Sequence, residues 1–143
     1  MQSAADDIVS GIIEKWSAGF VKPDADAVAS LYSRNAFFFG SNPSLYRGRD
    51  GVAAYFNGLP KWRSRSVEFT DVRAAQAGPD LINMAAIASF VADEGATTLS
   101  VKMSWVIIRE DGGWKIVNHH ASSRVPLIDS LGQPSPARPD GQQ

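Results

Sequence analysis

The second half of the chain consists of four strand-like segments, and this pattern limits the fold more than any other feature. Residues 66–75 and 97–109 alternate between apolar and polar residues, whereas residues 81–91 are more continuously apolar. The segments span residues 66–75, 81–91, 97–109 and 114–124, and turn-forming stretches such as residues 110–113 separate them. A period of two is typical of β-strands that are buried on one face, and short turns join antiparallel neighbours. The sequence therefore predicts an antiparallel meander of four long strands.

Three helices and one short strand are predicted before this meander. Residues 5–20 place their apolar residues on one stripe of an amphipathic helix, and residues 22–36 show the same period. Residues 36–40 are typical of a short buried strand, and a third helix is expected over residues 51–59, which Gly and Pro follow. Helices that are grouped apart from an antiparallel sheet predict an α+β fold.

Composition narrows the class of protein. The 143 residues are 44% hydrophobic and 20% charged, which is ordinary for one globular domain, expected over residues 1–125. The Pro-rich residues 126–143 are predicted to form a flexible tail. A net charge of −1 and a single short basic cluster argue against nucleic-acid binding.

The expected location is cytoplasmic. The N-terminus is acidic and lacks the basic and apolar regions of a secretory signal, and the longest apolar runs are too short to span a bilayer. The chain has no cysteine, which excludes disulfides and thiolate chemistry. We expect no cofactor, no metal site and no membrane association.

Only the last strand carries histidine, and His119 and His120 must point to opposite faces of the sheet. A two-residue loop before this strand would pair Trp105 with Asn118 and turn His120 toward the apolar face. A three-residue loop would pair Trp105 with Val117 and turn His119 toward that face. We expect the second register, because it segregates apolar from polar residues.

Two motifs resemble the nuclear transport factor 2-like superfamily. "LYSRNAFFFGSNPSLYRGRDGVAAYF" (residues 31–56) is similar to the family's stretch up to its third helix. "REDGGWKIVNHHASS" (residues 109–123) resembles the last hairpin of SnoaL-like bacterial proteins and of the association domain of calcium/calmodulin-dependent protein kinase II. The resemblance covers about residues 5–125. It implies a cone-shaped fold in which three N-terminal helices pack on a curved, mostly antiparallel sheet around an internal apolar pocket.

The family's chemistry does not carry over residue by residue. Ala121 stands where the cyclases that this chain resembles have an acidic base and where the kinase association domains have an arginine. Trp105 and Ala88 replace two further arginines of those association domains. The more distant ketosteroid isomerases need a tyrosine and two inward carboxylates, whereas the first helix has Trp16 and residues 81–91 and 97–108 contain no Asp or Glu.

The remaining candidate site is an aromatic, apolar pocket with one ionisable group, His119. Its expected lining is Trp16, Phe20, Tyr32, Phe37 or Phe39, Tyr55, Met84, Met103, Trp105 and His119. A buried neutral imidazole could bind a ligand, act as a general base with Tyr32 or Tyr55 donating to an oxyanion, or simply stabilise the core.

Three functions therefore stay open. The first is a domain that binds a small apolar or aromatic molecule in this pocket. The second is a cofactor-independent isomerase, cyclase or dehydratase with His119 as base. The third is an association domain. A homodimer is expected under all three, through an outer sheet face formed by Ser100, Lys102, Ser104, Val106, Ile108, Ile116, Asn118 and His120.

Overall fold

A computed structural model of the chain describes residues 3–128 and 131–134. The helices are α1 (Ala4–Val21), α2 (Ala25–Ala29) and α3 (Gly48–Asn57), with one 3₁₀ turn at Asp93–Gly95. The strands are β1 (Tyr32–Phe39), β2 (Leu45–Arg47), β3 (Arg65–Gly78), β4 (Leu81–Ala92), β5 (Thr97–Glu110) and β6 (Gly113–Ser123). Much of the predicted tail, residues 129–130 and 135–143, lies outside the described residues, so its flexibility stays a prediction.

The six strands form one curved, mixed sheet, and the α+β class is confirmed. The strand order is β2-β1-β6-β5-β4-β3, in which β3 to β6 form the predicted antiparallel meander. Strand β1 runs parallel to β6, and the unpredicted β2 pairs with the outer edge of β1. None of the described helices is long and apolar enough to cross a membrane.

Helix α1 begins where local chemistry directs it. Ser3 and Asp6 form a capping box, in which each side chain accepts a hydrogen bond from the other residue's backbone N–H. Val9, Ile12 and Trp16 then lie on the buried stripe, which packs against β3 and α2. This stripe positions the Trp16 indole against the inner face of the sheet.

A second helix forms within the predicted residues 22–36, but its predicted length is wrong. Asp24 caps a helix of only five residues, and the chain becomes extended at Tyr32. The backbone N–H of Ile116 donates to the carbonyl of Leu31, and parallel pairing of β1 with β6 follows. A pairing partner about 85 residues away in sequence therefore overrides the local helical period.

The last hairpin turns through a two-residue loop, so the predicted three-residue loop is wrong. Asp111 and Gly112 have φ of 53° and 79°, the geometry of a type I′ turn, and Glu110 pairs with Gly113. Farther along the strand, Val117 is an extra residue with no opposite partner, which makes a β-bulge.

The bulge decides which histidine faces inward. Trp105 pairs with His119, not with Val117 as predicted, and His119 is only 2% exposed. The predicted face for His119 is confirmed because the observed and predicted registers differ by two residues, which preserves the side-chain alternation. Ile116 was expected on the outer face, but it lies before the bulge and is fully buried.

A buried carboxylate joins the end of this hairpin to the rest of the fold. Glu110 accepts hydrogen bonds from the Ser33 hydroxyl, from the Arg34 backbone N–H and from Arg49 Nη2. The bond from Ser33 contributes most to lowering the pKa of Glu110, and the two arginines add to this effect against the opposing effect of burial. The network links β5 with β1 and α3.

Candidate functional site

A cavity of about 300 Å³ lies between the helices and the inner face of the sheet. Its wall is mostly apolar and aromatic, and none of the described residues that line it carries a charged side chain. The lining residues are Trp16, Phe20, Phe38, Gly40, Ser41, Tyr55, Phe56, Leu59, Trp62, Phe90, Ala92, Thr97, Leu99, Val101, Met103, His119, Ala121, Ser122 and Ser123.

The sequence-derived candidates fall into two groups around this cavity. Trp16, Phe20, Tyr55, Met103 and His119 are part of its wall. The other three candidates, Tyr32, Met84 and Trp105, are buried behind the wall. The second group therefore reaches the cavity only through the side chains that it supports.

Phe38 occupies the place that was assigned to Phe37 or Phe39. Those two side chains are 49% and 40% exposed on the outer face, whereas Phe38 lines the cavity. Its ring stacks on the imidazole of His119 at a centroid distance of 4.0 Å. Polarity in the sequence could not single out Phe38, because residues 36–39 are all apolar, and only the structure shows that Ala36 and Phe38 alternate with exposed neighbours.

Trp16 is the centre of an aromatic cluster beside the cavity. Its indole contacts five rings at centroid distances between 5.6 and 6.4 Å. These rings belong to Phe20, Phe56, Phe69, Phe90 and Trp105. Such contacts between rings at stacked, edge-on or tilted angles are each worth about 1 kcal/mol beyond burial, so they stabilise this side of the cavity.

A chain of hydrogen bonds leads from this cluster to the histidine. Trp16 Nε1–H donates to the Tyr32 hydroxyl at 3.0 Å, and that hydroxyl lies 2.8 Å from His119 Nδ1. Trp105 Nε1–H donates to the same Nδ1 at 2.9 Å. Helix α1 and strands β1, β5 and β6 each supply one member of this group.

Burial keeps the two titratable side chains of this hydrogen-bond chain, His119 and Tyr32, uncharged. It lowers the pKa of His119 from its ordinary 6.5 to about 3, with a smaller contribution from the neighbouring charge of His120. Burial also raises the pKa of Tyr32, so its phenol stays protonated. At neutral pH the site therefore holds a neutral imidazole beside a neutral phenol.

Tyr55 fixes the loop that follows β1. Its hydroxyl accepts a hydrogen bond from the Ser41 backbone N–H at 2.9 Å and lies 2.7 Å from Ser41 Oγ. A Cβ atom at Gly40 would lie 2.6 Å from the Tyr55 ring, so this close approach requires glycine. The Tyr32 and Tyr55 hydroxyls are thus both engaged with protein atoms, unlike the oxyanion donors of the general-base hypothesis.

An arginine lies behind the other end of the cavity wall. The Arg65 guanidinium sits 5.1 Å from the Phe20 ring and 5.2 Å from the Trp62 ring, and its Nη2 donates to the Pro60 carbonyl. Burial lowers the pKa of Arg65, and its Nε is enclosed without a hydrogen-bond partner. Cation–π contacts with two lining rings hold this side chain in place.

The described residues contain no group of three or more His, Cys, Asp or Glu side chains arranged to hold a metal ion. The described wall presents the His119 imidazole, several hydroxyl groups and a mostly apolar surface. A comparison with curated proteins found no match.

Several solved structures share the fold at low sequence identity. A predicted calcium/calmodulin-dependent protein kinase II association domain from Xanthomonas campestris is 19% identical, with a TM-score of 0.73 over 82% of this chain and 86% of that chain. A predicted scytalone dehydratase from Novosphingobium aromaticivorans is 12% identical, with a TM-score of 0.75 over 84% of each chain.

A third similar structure is a hexachlorocyclohexane dehydrochlorinase, LinA-type3, from Novosphingobium barchaimii. It is 18% identical, with a TM-score of 0.69 over 85% of this chain and 87% of that chain. At these identities the three likenesses establish the fold alone. The family model described as a SnoaL-like domain matches residues 9–127. The chain therefore belongs to the SnoaL-like family, within the nuclear transport factor 2-like superfamily that its motifs resemble.

Proposed function

We propose that this domain binds a small apolar or aromatic molecule in the cavity between α1, α3 and the sheet, around which the fold closes as a cone. The observation that carries the proposal is the cavity itself, about 300 Å³ of space with an aromatic wall and no charged lining residue in the described chain. Ligand pockets of about 300–1,000 Å³ are mostly hydrophobic and have a few polar groups that orient the ligand. A two-ring aromatic molecule suits this size.

In the proposed complex the candidate residues have separate roles. Trp16 and Met103 would contact the apolar body of the ligand, and Tyr55 would hold the loop at one side of it. His119 would be the polar group that orients the ligand. Tyr32, Met84 and Trp105 would support the wall from behind.

An enzyme with His119 as general base is less well supported. A base at this position needs a free lone pair on the nitrogen that faces the cavity. Trp105 Nε1–H already donates to Nδ1, which leaves the imidazole proton on the other nitrogen. The similar structures whose names describe dehydratase and dehydrochlorinase activities keep the question of turnover worth testing, but the geometry favours binding.

Two variants, in each of which phenylalanine replaces an alanine, test the proposal. Ala121 lines the cavity on β6, whereas Ala75 is exposed on β3. The A121F side chain would occupy the space of the ligand, so affinity for 2-isopropenylnaphthalene should fall about tenfold or more, measured by calorimetric titration. A75F should bind like the natural protein.

Native mass spectrometry of freshly purified protein, repeated under denaturing conditions, shows whether a small organic molecule is carried along and identifies it. Failure of the natural protein to bind the probe, together with an empty cavity by mass spectrometry, would overturn the proposal. Equal losses in A121F and A75F would also contradict it, because the effect would then not arise in the cavity.

We also propose that the outer face of the sheet forms a homodimer. The helices cover only the inner face, and several apolar side chains on the other face are left exposed. They include Phe37, Phe39, Leu45, Leu81 and Val91. One similar structure is a predicted association domain, which supports assembly in general. The proposed surface also includes the polar side chains of Lys102 and His120.

A further inference from the structure

The position of the proton on His119 follows from its neighbours. An indole N–H can only donate, so Trp105 requires His119 Nδ1 to be an acceptor at 2.9 Å. Trp16 Nε1–H occupies one lone pair of the Tyr32 oxygen, and the Tyr32 O–H is then free to donate to the same Nδ1 at 2.8 Å. Two donors thus converge on one unprotonated nitrogen.

A neutral imidazole carries one proton, which must then be on Nε2. The alternative tautomer would place an N–H at Nδ1 directly against the Trp105 N–H and leave two buried donors facing each other. A charged imidazolium would produce the same conflict, and burial of the ring opposes it as well. The surroundings therefore select one tautomer of one charge state.

The Nε2–H of His119 faces the cavity. Within the described ranges His119 Nε2 makes no hydrogen bond. If protein atoms fully enclosed it, it would be a buried polar atom without a partner, and among the described residues only Arg65 Nε is such an atom. His119 Nε2 is consequently not enclosed by protein, and its ring is part of the cavity wall. The stacked Phe38 ring covers the imidazole face, so the edge that carries Nε2 is the part left for a ligand.

We propose that His119 acts as a fixed hydrogen-bond donor and that the ligand is an uncharged aromatic or polycyclic molecule whose carbonyl oxygen accepts a bond from Nε2–H. This inference rests on the proposed function and specifies its ligand class. An uncharged ligand is favoured because no charged side chain lines the cavity and Arg65 lies behind the Phe20 and Trp62 rings. Trp105 and Tyr32 are positioning residues, because they touch His119 and not the ligand.

Two probes of the same shape test the donor. 2-Acetylnaphthalene carries a carbonyl group, and 2-isopropenylnaphthalene replaces that oxygen by a methylene group. The ratio of their dissociation constants is compared between the natural protein and H119F. Loss of one buried hydrogen bond should shift this ratio about five- to tenfold against the ketone in H119F. The comparison of ratios cancels the difference in hydration between the probes.

The tautomer itself is read on the natural protein by long-range ¹H–¹⁵N correlation spectroscopy of the imidazole, which does not depend on H119F folding. H120Q removes the second histidine of the chain and assigns the signals. An unprotonated Nδ1, a protonated Nε2 and the expected shift of the ratio support the proposal.

A protonated Nδ1 would overturn the proposal at once. An unchanged ratio with both probes bound would also overturn it, while leaving the proposed binding function intact. If neither probe binds the natural protein and mass spectrometry finds its cavity empty, the binding function fails, and the ligand class fails with it.

Discussion

The imidazole of His119 is held on three sides by neighbours that differ in kind. The Phe38 ring covers one face, and Trp105 and Tyr32 both point hydrogens at Nδ1. Trp105 and Tyr32 oppose a positive charge on the ring, because an imidazolium would place an N–H at Nδ1 against the Trp105 N–H and against the hydrogen of the Tyr32 hydroxyl. The neutral state of His119 is thus built into the packing.

This arrangement predicts that the protein already loses stability between pH 7 and pH 5, which is above the pH range in which carboxyl groups ordinarily titrate. The pKa of His119 is about 3 in the folded protein and 6.5 in the ordinary, unfolded state. Below pH 6.5 the unfolded chain binds a proton that the folded chain excludes, so its contribution to the free energy of unfolding falls by about 1.4 kcal/mol per pH unit. We expect a loss of about 2 kcal/mol between pH 7 and pH 5, measured by urea unfolding.

The H119F variant is the control for this effect, since its stability should change much less over the same interval. Glu110 acts in a different window. Folding lowers the pKa of Glu110 from its ordinary 4.5, so the stability that its ionised form contributes is lost only as the pH falls below about 4.5. A natural protein equally stable at pH 7 and pH 5 would contradict the proposed burial of a neutral imidazole.

Helices α1 and α2 meet at a point where one residue has no room for a side chain. A Cβ atom at Gly19 would lie 2.6 Å from Val28 Cγ2, and Val28 is fully buried on α2. Gly11 lies on the same helix α1, but nothing is within 4 Å of the corresponding position. Close packing therefore requires a glycine at residue 19, whereas residue 11 has room for a side chain.

Substitution by alanine should change the free energy of unfolding in opposite directions at the two glycines. G11A should stabilise the protein by about 0.5–1 kcal/mol, because alanine loses less backbone entropy in a helix. G19A should destabilise it by about 1–3 kcal/mol, because the methyl group must displace Val28 and with it the start of β1. Urea unfolding midpoints measure both changes, and a stabilised G19A would show that α1 and α2 are not packed as described.

At the scale of the whole molecule, the helices protect only one face of the sheet. Phe39 is 40% exposed on the uncovered face, next to His120 at a ring distance of 5.7 Å. Exposed aromatic side chains on a sheet face are typical of protein–protein interfaces. A second copy of the chain, related by a two-fold axis, would bury this patch on both partners.

The F39K variant should therefore shift the protein from dimer to monomer in sedimentation equilibrium, because the interface would have to bury an unpaired ammonium group. V21K is the matched control, since Val21 is 44% exposed at the end of α1, which is not part of the proposed interface. It should remain dimeric. A natural protein with the mass of a single 15.4 kDa chain, or a dimeric F39K, would contradict the proposed interface.

Local patterns in the sequence determined several features correctly. The stripe that includes Trp16 forms α1, the four strand-like segments form the meander, and His119 lies on the inner face. Trp16, Tyr55, Met103 and His119 all reach the cavity wall from positions that their periodicity favours. Periodicity is sufficient here because it depends only on residues within the same element.

Only the tertiary structure decided the rest. The parallel pairing of β1 with β6 turned residues 32–35 from a predicted helix into a strand, and the bulge at Val117 set the register that brings His119 opposite Trp105. The tautomer of His119 depends on donors from β1 and β5 meeting at one nitrogen. These outcomes depend on distances between residues far apart in the chain, and local alternation carries no information about such distances.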